Sequence, residues 1–488
     1  MRIFVSMWKF LILISGLLML STHSVARPDY GDALTKSILF FDAQRSGNLP
    51  QSQRVKWRQD SSLRDGFQAH VDLVGGYYSG GDNLKSSFEM AYSITMLSWS
   101  VLEFGSYMEL ELQYAIDAIR WGTDFLLKAT NSSGYVYVQV GNYSAKNCWQ
   151  RPEDLDGPRQ LYVVSKQSPG SDVTAEIASA LAASSMVFKH IDPAYSAKLL
   201  ERSEKIFQFA DENRGPYIIS LGPWVCPFGC SVEYEDELIW AAAWLYNATK
   251  LEKYWNYIFQ NTSKLETYFS NGSFSEFGWD NKHAGINVLI SKLNMTDTKS
   301  SHLFLSNADK LVCSLLPNSG TSSASLQGGL LFKQGGSSLE HATALSFLIL
   351  VYGRTLGQAR RQVRCGETIV NPEMLTEFAR SQVDYILGNN PLGMSFMVGY
   401  GNKYPQRIRH KGSSLPSKSI HPKRIDCKEG LYYYNSSDPN LNLLIGAVVG
   451  GPDINGVYDD SRESVHSEPK LYINAPLVGV LAYLKSAH

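Results

Sequence analysis

Carboxylates gather near the end of the chain, just before its last apolar segment. Residues 458–468 contain two adjacent aspartates, Asp459 and Asp460, and end on a Glu-Pro step that starts with Glu468. Paired carboxylates are what acid–base chemistry at a sugar acetal requires, because one protonates the leaving oxygen while the other activates water. The alternative interpretation of these acids is a solvated loop that caps the last helix.

A further carboxylate, Asp82, follows a glycine-rich segment near the start of the chain. Residues 71–83 begin with an apolar stretch and then read Gly-Gly-Tyr-Tyr-Ser-Gly-Gly-Asp-Asn. Because glycine readily adopts positive φ, this segment can fold tightly and leave Asp82 open at its end. An ordinary turn in which Asp82 acts as a cap is the alternative.

Three separated segments together resemble glycoside hydrolase family 9, the inverting β-1,4-glucanases. They are the glycine-rich segment before Asp82, the run of residues 404–414 and the closing segment around Glu468. The resemblance extends over roughly residues 29–486 and is to the plant secreted enzymes of class B in particular. It implies that Glu468 is the general acid and Asp82 the catalytic base of an inverting pair.

The motifs depart from the family pattern at several positions. Ser79 stands where the family has an aspartate that helps to hold the attacking water. Arg409 and Lys411 stand at the positions of a sugar-binding histidine and arginine, while His410 between them keeps its usual identity. Since arginine is a planar fork and lysine a point charge, neither exchange is conservative. A solvated loop is the alternative interpretation of this basic run.

The closing segment leaves two registers open. Counting back from Glu468 without a gap places Asp459 on the family's assisting aspartate. Two serines, Ser461 and Ser464, then replace an expected arginine and an expected aromatic residue. A register shifted by one residue would make Asp460 the assisting acid. We favour the ungapped register, since the pair Asn474-Ala475 also stands at the distance from Glu468 that the ungapped family pattern has.

The resemblance implies an endo-β-1,4-glucanase that hydrolyses internal bonds of cellulose-type cell-wall glucans, with no cofactor and no metal. Tyr472 and Trp279 are candidates for contacts with sugar rings, with core packing as the alternative. The neutral hydroxyl of Ser79 predicts weak hydrolysis, since the water has fewer acidic acceptors. Two alternatives stay open: a glucan-binding protein with little catalysis, and a hydrolase with an altered glucan substrate.

The elements that must position these residues are mainly helices. Apolar residues recur at helical spacing, whereas strand-like alternation is confined to residues 136–140. The predicted helices cover residues 33–41, 88–104, 110–128, 171–190, 199–213, 234–247, 253–268, 283–293, 301–315, 338–355 and 373–387, with an apolar run at 477–482. About a dozen such helices predict an all-α fold, an (α/α)6 barrel of six helical hairpins.

The start of the chain is typical of a secretory signal. Residues 1–26 combine a basic beginning, an apolar core and small residues before Arg27. A retained membrane anchor is the alternative, although the apolar run is short for a membrane span. We expect residues 27–488 to be one catalytic domain, monomeric and secreted into the cell wall, with no membrane partner after cleavage.

Composition agrees with an extracellular glycan as the partner. The net charge is −1 and no basic block is present, which argues against nucleic acid. Six cysteines allow fifteen pairings, and Cys226 and Cys230 lack the second pair that a zinc site needs. Seven N-glycosylation sequons are predicted, at Asn131, Asn142, Asn247, Asn261, Asn271, Asn294 and Asn435.

Overall fold

The structure is a computed structural model that describes residues 27–142, 148–226, 230–270, 275–296, 302–317, 325–332 and 337–487. The predicted signal segment and the sequon at Asn271 lie outside the described residues, as does the side chain of Asn294. Among the described helices, none combines the length and the apolar character that crossing a membrane requires.

Twelve long helices account for nearly half of the described chain. In chain order they are α1 Tyr30–Gln44, α2 Ser87–Phe104, α3 Glu111–Ala129, α4 Ser171–Phe188, α5 Pro193–Glu212, α6 Glu235–Thr249, α7 Glu252–Ser270, α8 His283–Thr296, α9 His302–Leu315, α10 Ser338–Gln358, α11 Pro372–Ile386 and α12 Leu471–Ser486. The prediction of an all-α fold is confirmed.

These helices form two concentric rings. The six even-numbered helices pack against one another in the order α2, α4, α6, α8, α10 and α12, and α12 returns to α2 and closes the ring. Each odd-numbered helix from α3 to α11 packs outside the inner helix that precedes it in the chain. The first helix, α1, packs on α12. The result is the predicted (α/α)6 barrel.

Sequence explains which helices lie inside. In α4 every residue except Met186 is buried, and alanine and serine provide small surfaces on several sides. In the outer helix α3 the buried residues recur at helical spacing, for example Ala115, Ile119 and Leu126, while the opposite face carries charge. A helix that is apolar all round is suited to the inner ring, and an amphipathic one to the outer ring.

The connections place the chemistry at one end of the barrel. Short connections lead from an inner helix to the next outer one, as at residues 189–192 between α4 and α5. Long connections lead from an outer helix to the next inner one, as at 45–86, 130–170 and 387–470. Asp82, Arg409 and Glu468 all lie in long connections, so they meet where the inner helices begin.

Small antiparallel sheets lie within the connections. Strands β1 Lys85–Ser86, β2 Tyr135–Val140 and β3 Leu161–Ser165 form a three-stranded sheet in which β2 is central. Two hairpins follow, β4 Ser325–Gln327 with β5 Leu330–Phe332, and β6 Val363–Cys365 with β7 Thr368–Val370. Strand β2 confirms the predicted alternation, whereas the other strands were not predicted.

Three disulfides resolve the open cysteine pairing. They join Cys148 to Cys427, Cys226 to Cys230 and Cys313 to Cys365. The first links the long connection 130–170 to the long connection 387–470. Cys427 also begins a short helix, Cys427–Asn435, that was not predicted. The first disulfide therefore ties together two of the loops that build the site.

Candidate active site

The predicted base and acid lie side by side, although 385 residues of sequence separate them. The backbone N–H of Gly81 donates to Glu468 Oε1 over 3.0 Å, and Gly81 directly precedes Asp82. The N–H of Leu471 donates to the carbonyl of Ser79 over 3.1 Å. These backbone bonds hold the glycine-rich segment against the start of α12.

The run 409–411 completes the same arrangement. The backbone N–H of Lys411 donates to the carbonyl of Gly81 over 3.0 Å, and the N–H of Arg409 contacts the Ser467 hydroxyl over 3.2 Å. The three segments that carry the sequence motifs are therefore joined through their backbones. Their side chains converge on one point at the end of the barrel.

Glycines in the motif serve two purposes, and the sequence indicated only one. Gly75 and Gly76 have positive φ, as predicted for a tight turn. Gly80 and Gly81 do not have positive φ; instead, the lack of a side chain lets Glu468 and Arg409 approach their backbone closely. A Cβ on Gly81 would lie 2.0 Å from the carbonyl oxygen of Arg409, and one on Gly80 would lie 2.7 Å from Glu468 Oε1.

Cations surround both carboxylates. The Arg409 guanidinium lies 3.5 Å from Asp82 Oδ2 and 3.9 Å from Glu468 Oε2, so it stands between the two acids. The Lys411 ammonium lies 3.5 Å from Asp82 Oδ1. The Lys470 ammonium lies 2.9 Å from Glu468 Oε1. The pair predicted to perform acid–base chemistry is therefore built into an ion-pair network.

Asp82 is ionised in this network. Burial alone would raise the pKa of Asp82, but the Lys411 ammonium and the Arg409 guanidinium outweigh it and hold that pKa below its ordinary value. Its Oδ1 atom is buried and accepts no hydrogen bond from any described residue. A base needs a charged oxygen that can accept a proton from water; Oδ1 is charged, and water has to displace the Lys411 ammonium, 3.5 Å away, to reach it.

Lys470 is a close partner of the acid that the sequence analysis did not identify. Burial would lower the pKa of Lys470, yet Glu468 raises it above its ordinary value. The ammonium therefore remains charged beside the carboxylate. A general acid must carry a proton, so this ion pair has to be weakened before Glu468 can donate one.

Trp149 packs against two of the cations, Arg409 and Lys411. Its ring lies 5.9 Å from the Arg409 guanidinium and 5.6 Å from the Lys411 ammonium, within cation–π range. The indole N–H donates to the Ser414 hydroxyl over 2.7 Å, and Tyr434 packs on the ring at 4.7 Å. Trp149 is thus held in place by its own contacts, and it packs against both cations that contact Asp82.

His410 occupies a different place from its charged neighbours. It is buried, its Nδ1 accepts the backbone N–H of Ser413, and its Nε2 lies 2.8 Å from Gln44 Oε1. Burial and then the charge of Arg58 lower the pKa of His410 to about 3. Both ring nitrogens are used inside the protein, so the predicted sugar contact is not available to this neutral imidazole.

The predicted assisting acids point elsewhere. Asp459 is exposed, and its carboxylate accepts the Ser461 hydroxyl over 2.8 Å. Asp460 accepts the backbone N–H groups of Gln406 and Arg407. The hydrogen bonds and ion pairs of the described residues do not link either aspartate to the catalytic pair. Both contribute to loop structure in this state.

The Ser79 hydroxyl forms a hydrogen bond within its own segment of the chain. Ser79 is buried, and its hydroxyl oxygen accepts the backbone N–H of Ser86 over 3.1 Å. The aspartate that the family pattern has here would add a second negative charge near Asp82. In this chain that charge is absent and the position is neutral.

The two aromatic candidates lie together. The rings of Trp279 and Tyr472 stack with centroids 6.0 Å apart and planes 28° apart, and Tyr472 follows Glu468 by four residues. Trp279 also packs edge-on against Phe88. Trp279 is half-buried, so part of its ring is open to solvent near the site, whereas Tyr472 is buried.

The sequons differ in their surroundings. Asn131, Asn142 and Asn435 are exposed in connections or at a helix end. Asn247 and Asn261 are half-buried within α6 and α7. The first three are therefore better placed to carry a glycan.

Comparison with known sequences identifies the ancestry of this arrangement. The profile of Glycosyl hydrolase family 9 matches residues 30–481. The chain belongs to glycosyl hydrolase family 9. Endoglucanase 4 of Arabidopsis thaliana is 53% identical over 484 residues, which is 98% of each chain. Endoglucanase 1 of Persea americana is 49% identical over 482 residues, 97% of each chain.

Solved structures of family 9 enzymes share the fold. An endoglucanase from the termite Nasutitermes takasagoensis is 36% identical, with a TM-score of 0.81 over 94% of this chain and 99% of that one. The cellulase Cel9M of C. cellulolyticum in complex with cellobiose is 28% identical, with a TM-score of 0.79 over 94% and 99%. The resemblance inferred from the motifs is confirmed.

Proposed function

We propose that this family 9 protein is a secreted endo-β-1,4-glucanase in which Asp82 is the base and Glu468 the acid. The observation that supports it most is that both carboxylates contact one guanidinium, Arg409, at 3.5 and 3.9 Å. They are neighbours that a group of guanidinium width keeps apart. An inverting pair needs such a gap, because a water must fit between the base and the sugar.

The reaction follows from these positions. A water bound at Asp82 Oδ1 gives a proton to that carboxylate while its oxygen attacks the anomeric carbon. Glu468 gives a proton to the glycosidic oxygen as the bond between that oxygen and the anomeric carbon breaks. Water is consumed, and the new reducing end has the inverted configuration. The half-buried Trp279 is the proposed platform on which a sugar ring stacks.

The cations make this chemistry slow. Arg409 and Lys411 stabilise the negative charge on Asp82, which weakens it as a base. Lys470 forms an ion pair with the Glu468 carboxylate at 2.9 Å, and this contact has to be broken before Glu468 can act as a proton donor. Substrate has to displace part of this network before either proton moves. We therefore expect lower turnover than in a site without these three cations.

The test measures new reducing ends on carboxymethyl cellulose with purified protein and two variants. Glu468→Gln and Asp82→Asn keep the shape of each side chain and remove its acid–base capacity. We expect each to lower turnover by about 10²–10⁴-fold. Wild-type turnover in either variant, with unchanged circular dichroism, would contradict the assignment.

The second candidate function is glucan binding without hydrolysis. The observation that favours it is the short ion pair between Lys470 and Glu468. In a pure binding protein, the wild type would bind the polymer and release no reducing ends. Affinity electrophoresis in carboxymethyl cellulose, run beside the turnover assay, separates the two functions.

Localisation and assembly remain part of the proposal. We propose a monomer that is secreted into the cell wall after signal removal. The apolar beginning of the chain and the exposed sequons support the secretion. The partner in that compartment is β-1,4-glucan, and the near-neutral net charge gives no reason to expect nucleic acid.

A further inference from the structure

Arg409 and Lys411 carry two positive charges that no step of the hydrolysis uses. Both lie on Asp82, at 3.5 Å each. On the other side of the site, Lys470 faces two acids, because Glu89 acts on it together with Glu468. Arg409 also lies 3.9 Å from Glu468, but when Glu468 holds the proton that it donates, Arg409 and Lys411 face one charged acid, Asp82.

The contacts of these two cations are long. A charge-assisted hydrogen bond spans about 2.7–2.9 Å. Arg409 lies 3.5 Å from Asp82, 3.9 Å from Glu468 and 3.4 Å from the Arg462 carbonyl. The hydrogen-bonding capacity of its guanidinium is therefore poorly used, and so is that of Lys411 toward Asp82.

The side chains of Arg409 and Lys411 are shielded from solvent. The side chains of Arg409 and Lys411 are 12% and 5% exposed, so bulk water hydrates them little. The buried ring of Trp149 lies within cation–π range of both. Charges in such a setting interact more strongly than at the surface, and they favour an incoming anion over a neutral hydroxyl.

We propose that Arg409 and Lys411 bind a carboxylate of the substrate, so that the preferred glucan is acidic, with uronic-acid or 6-carboxylated glucose units. The proposal rests on the proposed hydrolytic function and names its substrate class. The substrate carboxylate takes over the donors of both cations, and Asp82 is then free to act on water. A neutral glucan offers only hydroxyls and leaves Asp82 paired.

Neutrality at position 79 is consistent with this substrate. The Ser79 hydroxyl accepts the N–H of Ser86, so this position offers no charge that would repel a carboxylate. Glu89 acts on Lys470, whereas the acids that act on Arg409 and Lys411 are Asp82 and Glu468. With Glu468 protonated for the reaction, the anion therefore meets two cations and one charged carboxylate, that of Asp82.

The experiment compares cello-oligosaccharides with the same oligosaccharides oxidised to carboxylates at C6. We measure kcat/KM and, with the Glu468→Gln variant, Kd by calorimetry. Hydrogen bonds to charged groups predict a preference for the acidic ligand of about tenfold or more. High salt should reduce this preference less than it reduces a surface contact, because the cations are buried.

Variants assign the preference to the cations. Arg409→Gln should bring the acidic-to-neutral ratio close to one, while Arg409→Lys keeps the charge and should keep part of the ratio. Lys205→Gln, an exposed position on α5, is the matched control and should leave the ratio unchanged. Circular dichroism and the melting temperature establish that each variant is folded.

The outcomes separate this inference from the proposed function. Hydrolysis of neutral and acidic oligosaccharides at equal rates, with equal Kd, would overturn the inference and leave the glucanase function intact. Preferential binding of the acidic ligand without turnover of either would support the anion site and contradict hydrolysis. An unchanged ratio in a folded Arg409→Gln variant would also overturn the inference.

Discussion

At the scale of single residues, the site is governed by charge compensation. Asp82 and Glu468 each have at least one cation within 3.5 Å, and the Trp149 ring lies 5.9 and 5.6 Å from two of those cations. Acid–base groups held in this way are well positioned but poorly reactive. Small changes of charge at the site should therefore change turnover more than they change glucan binding.

Restoring a carboxylate at position 79 tests this balance. Ser79→Asp can keep the acceptor for the Ser86 N–H and adds a negative charge that competes with Asp82 for Arg409 and Lys411. We expect turnover to rise by roughly tenfold with little change in glucan affinity. Turnover is measured beside wild type and Asp82→Ala, and equal turnover in all three would contradict a role for both positions.

His410 predicts how stability depends on pH. Its pKa is about 3 in the folded protein against an ordinary value of 6.5, so between these values only the unfolded state takes up the proton. Stability from this residue is thus complete above pH 6.5 and is lost as pH falls, at most by about 1.4 kcal/mol per unit.

His410→Asn provides the comparison. Asparagine can still accept the Ser413 N–H and does not titrate. We expect the wild type to melt at a higher temperature than the variant at pH 7, with the difference shrinking toward pH 4. A difference that stays constant over this range would contradict the buried neutral imidazole.

The sequence identified the two catalytic candidates but not their partners. Asp82 and Glu468 stand in motifs that a short string suffices to recognise. The ion pair of Arg409 with Asp82 joins residues 327 positions apart, and no local pattern encodes such a distance. Lys470 was visible two residues after Glu468, and its charge beside an acid was the signal that could have found it.

At the scale of elements, the site depends on long connections rather than on the helices. The inner helices present their first turns, and the loops 45–86, 130–170 and 387–470 supply the side chains. The disulfide between Cys148 and Cys427 joins two of these loops beside Trp149. The positions of Arg409 and Lys411 should therefore depend on that cross-link.

Removing the disulfide tests this dependence. Cys148→Ser with Cys427→Ser should lower the free energy of unfolding by about 2–5 kcal/mol and also lower turnover, because Trp149 loses its anchor. The pair Cys313→Ser with Cys365→Ser is the control, since it joins α9 to β6. We expect the control to lower the melting temperature without lowering turnover at 20 °C. Equal turnover in both double variants would contradict the link.

Helices were predictable where tertiary contacts agree with local pattern. The twelve long helices follow the apolar period, and most predicted boundaries differ from the structure by a few residues. α5 begins at Pro193 rather than at residue 199, because Asp192 caps it through the N–H of Tyr195. The short helix Cys427–Asn435 and strand β3 depend on the disulfide and on pairing with β2, which periodicity does not reveal.

At the scale of the whole molecule, a closed double ring carries an open face built from long connections. Closure by α12 against α2 brings the C-terminal acid beside the N-terminal base. The closed ring therefore explains how two residues at opposite ends of the sequence, Asp82 and Glu468, come to lie in one site. It also leaves the outer surface free to carry glycans.

Glycosylation is expected to follow exposure. Protein secreted from plant cells should begin near Arg27 and carry glycans at Asn131, Asn142 and Asn435, but not at the half-buried Asn247. Mass spectrometry of glycopeptides measures the occupancy of each site. Full occupancy at Asn247, or a mature chain that starts at Met1, would contradict the expected secretion or the surface assignment.

We propose that Asp82 and Glu468 act as an inverting pair across a gap that admits water. Proton NMR of a fresh digest of carboxylated and neutral cello-oligosaccharides tests this pair, because the anomeric signal of the new reducing end is seen before mutarotation. We expect the α-anomer to appear first and Glu468→Gln to abolish the signal. The β-anomer appearing first, or no new reducing end at high concentrations of wild-type protein, would contradict it.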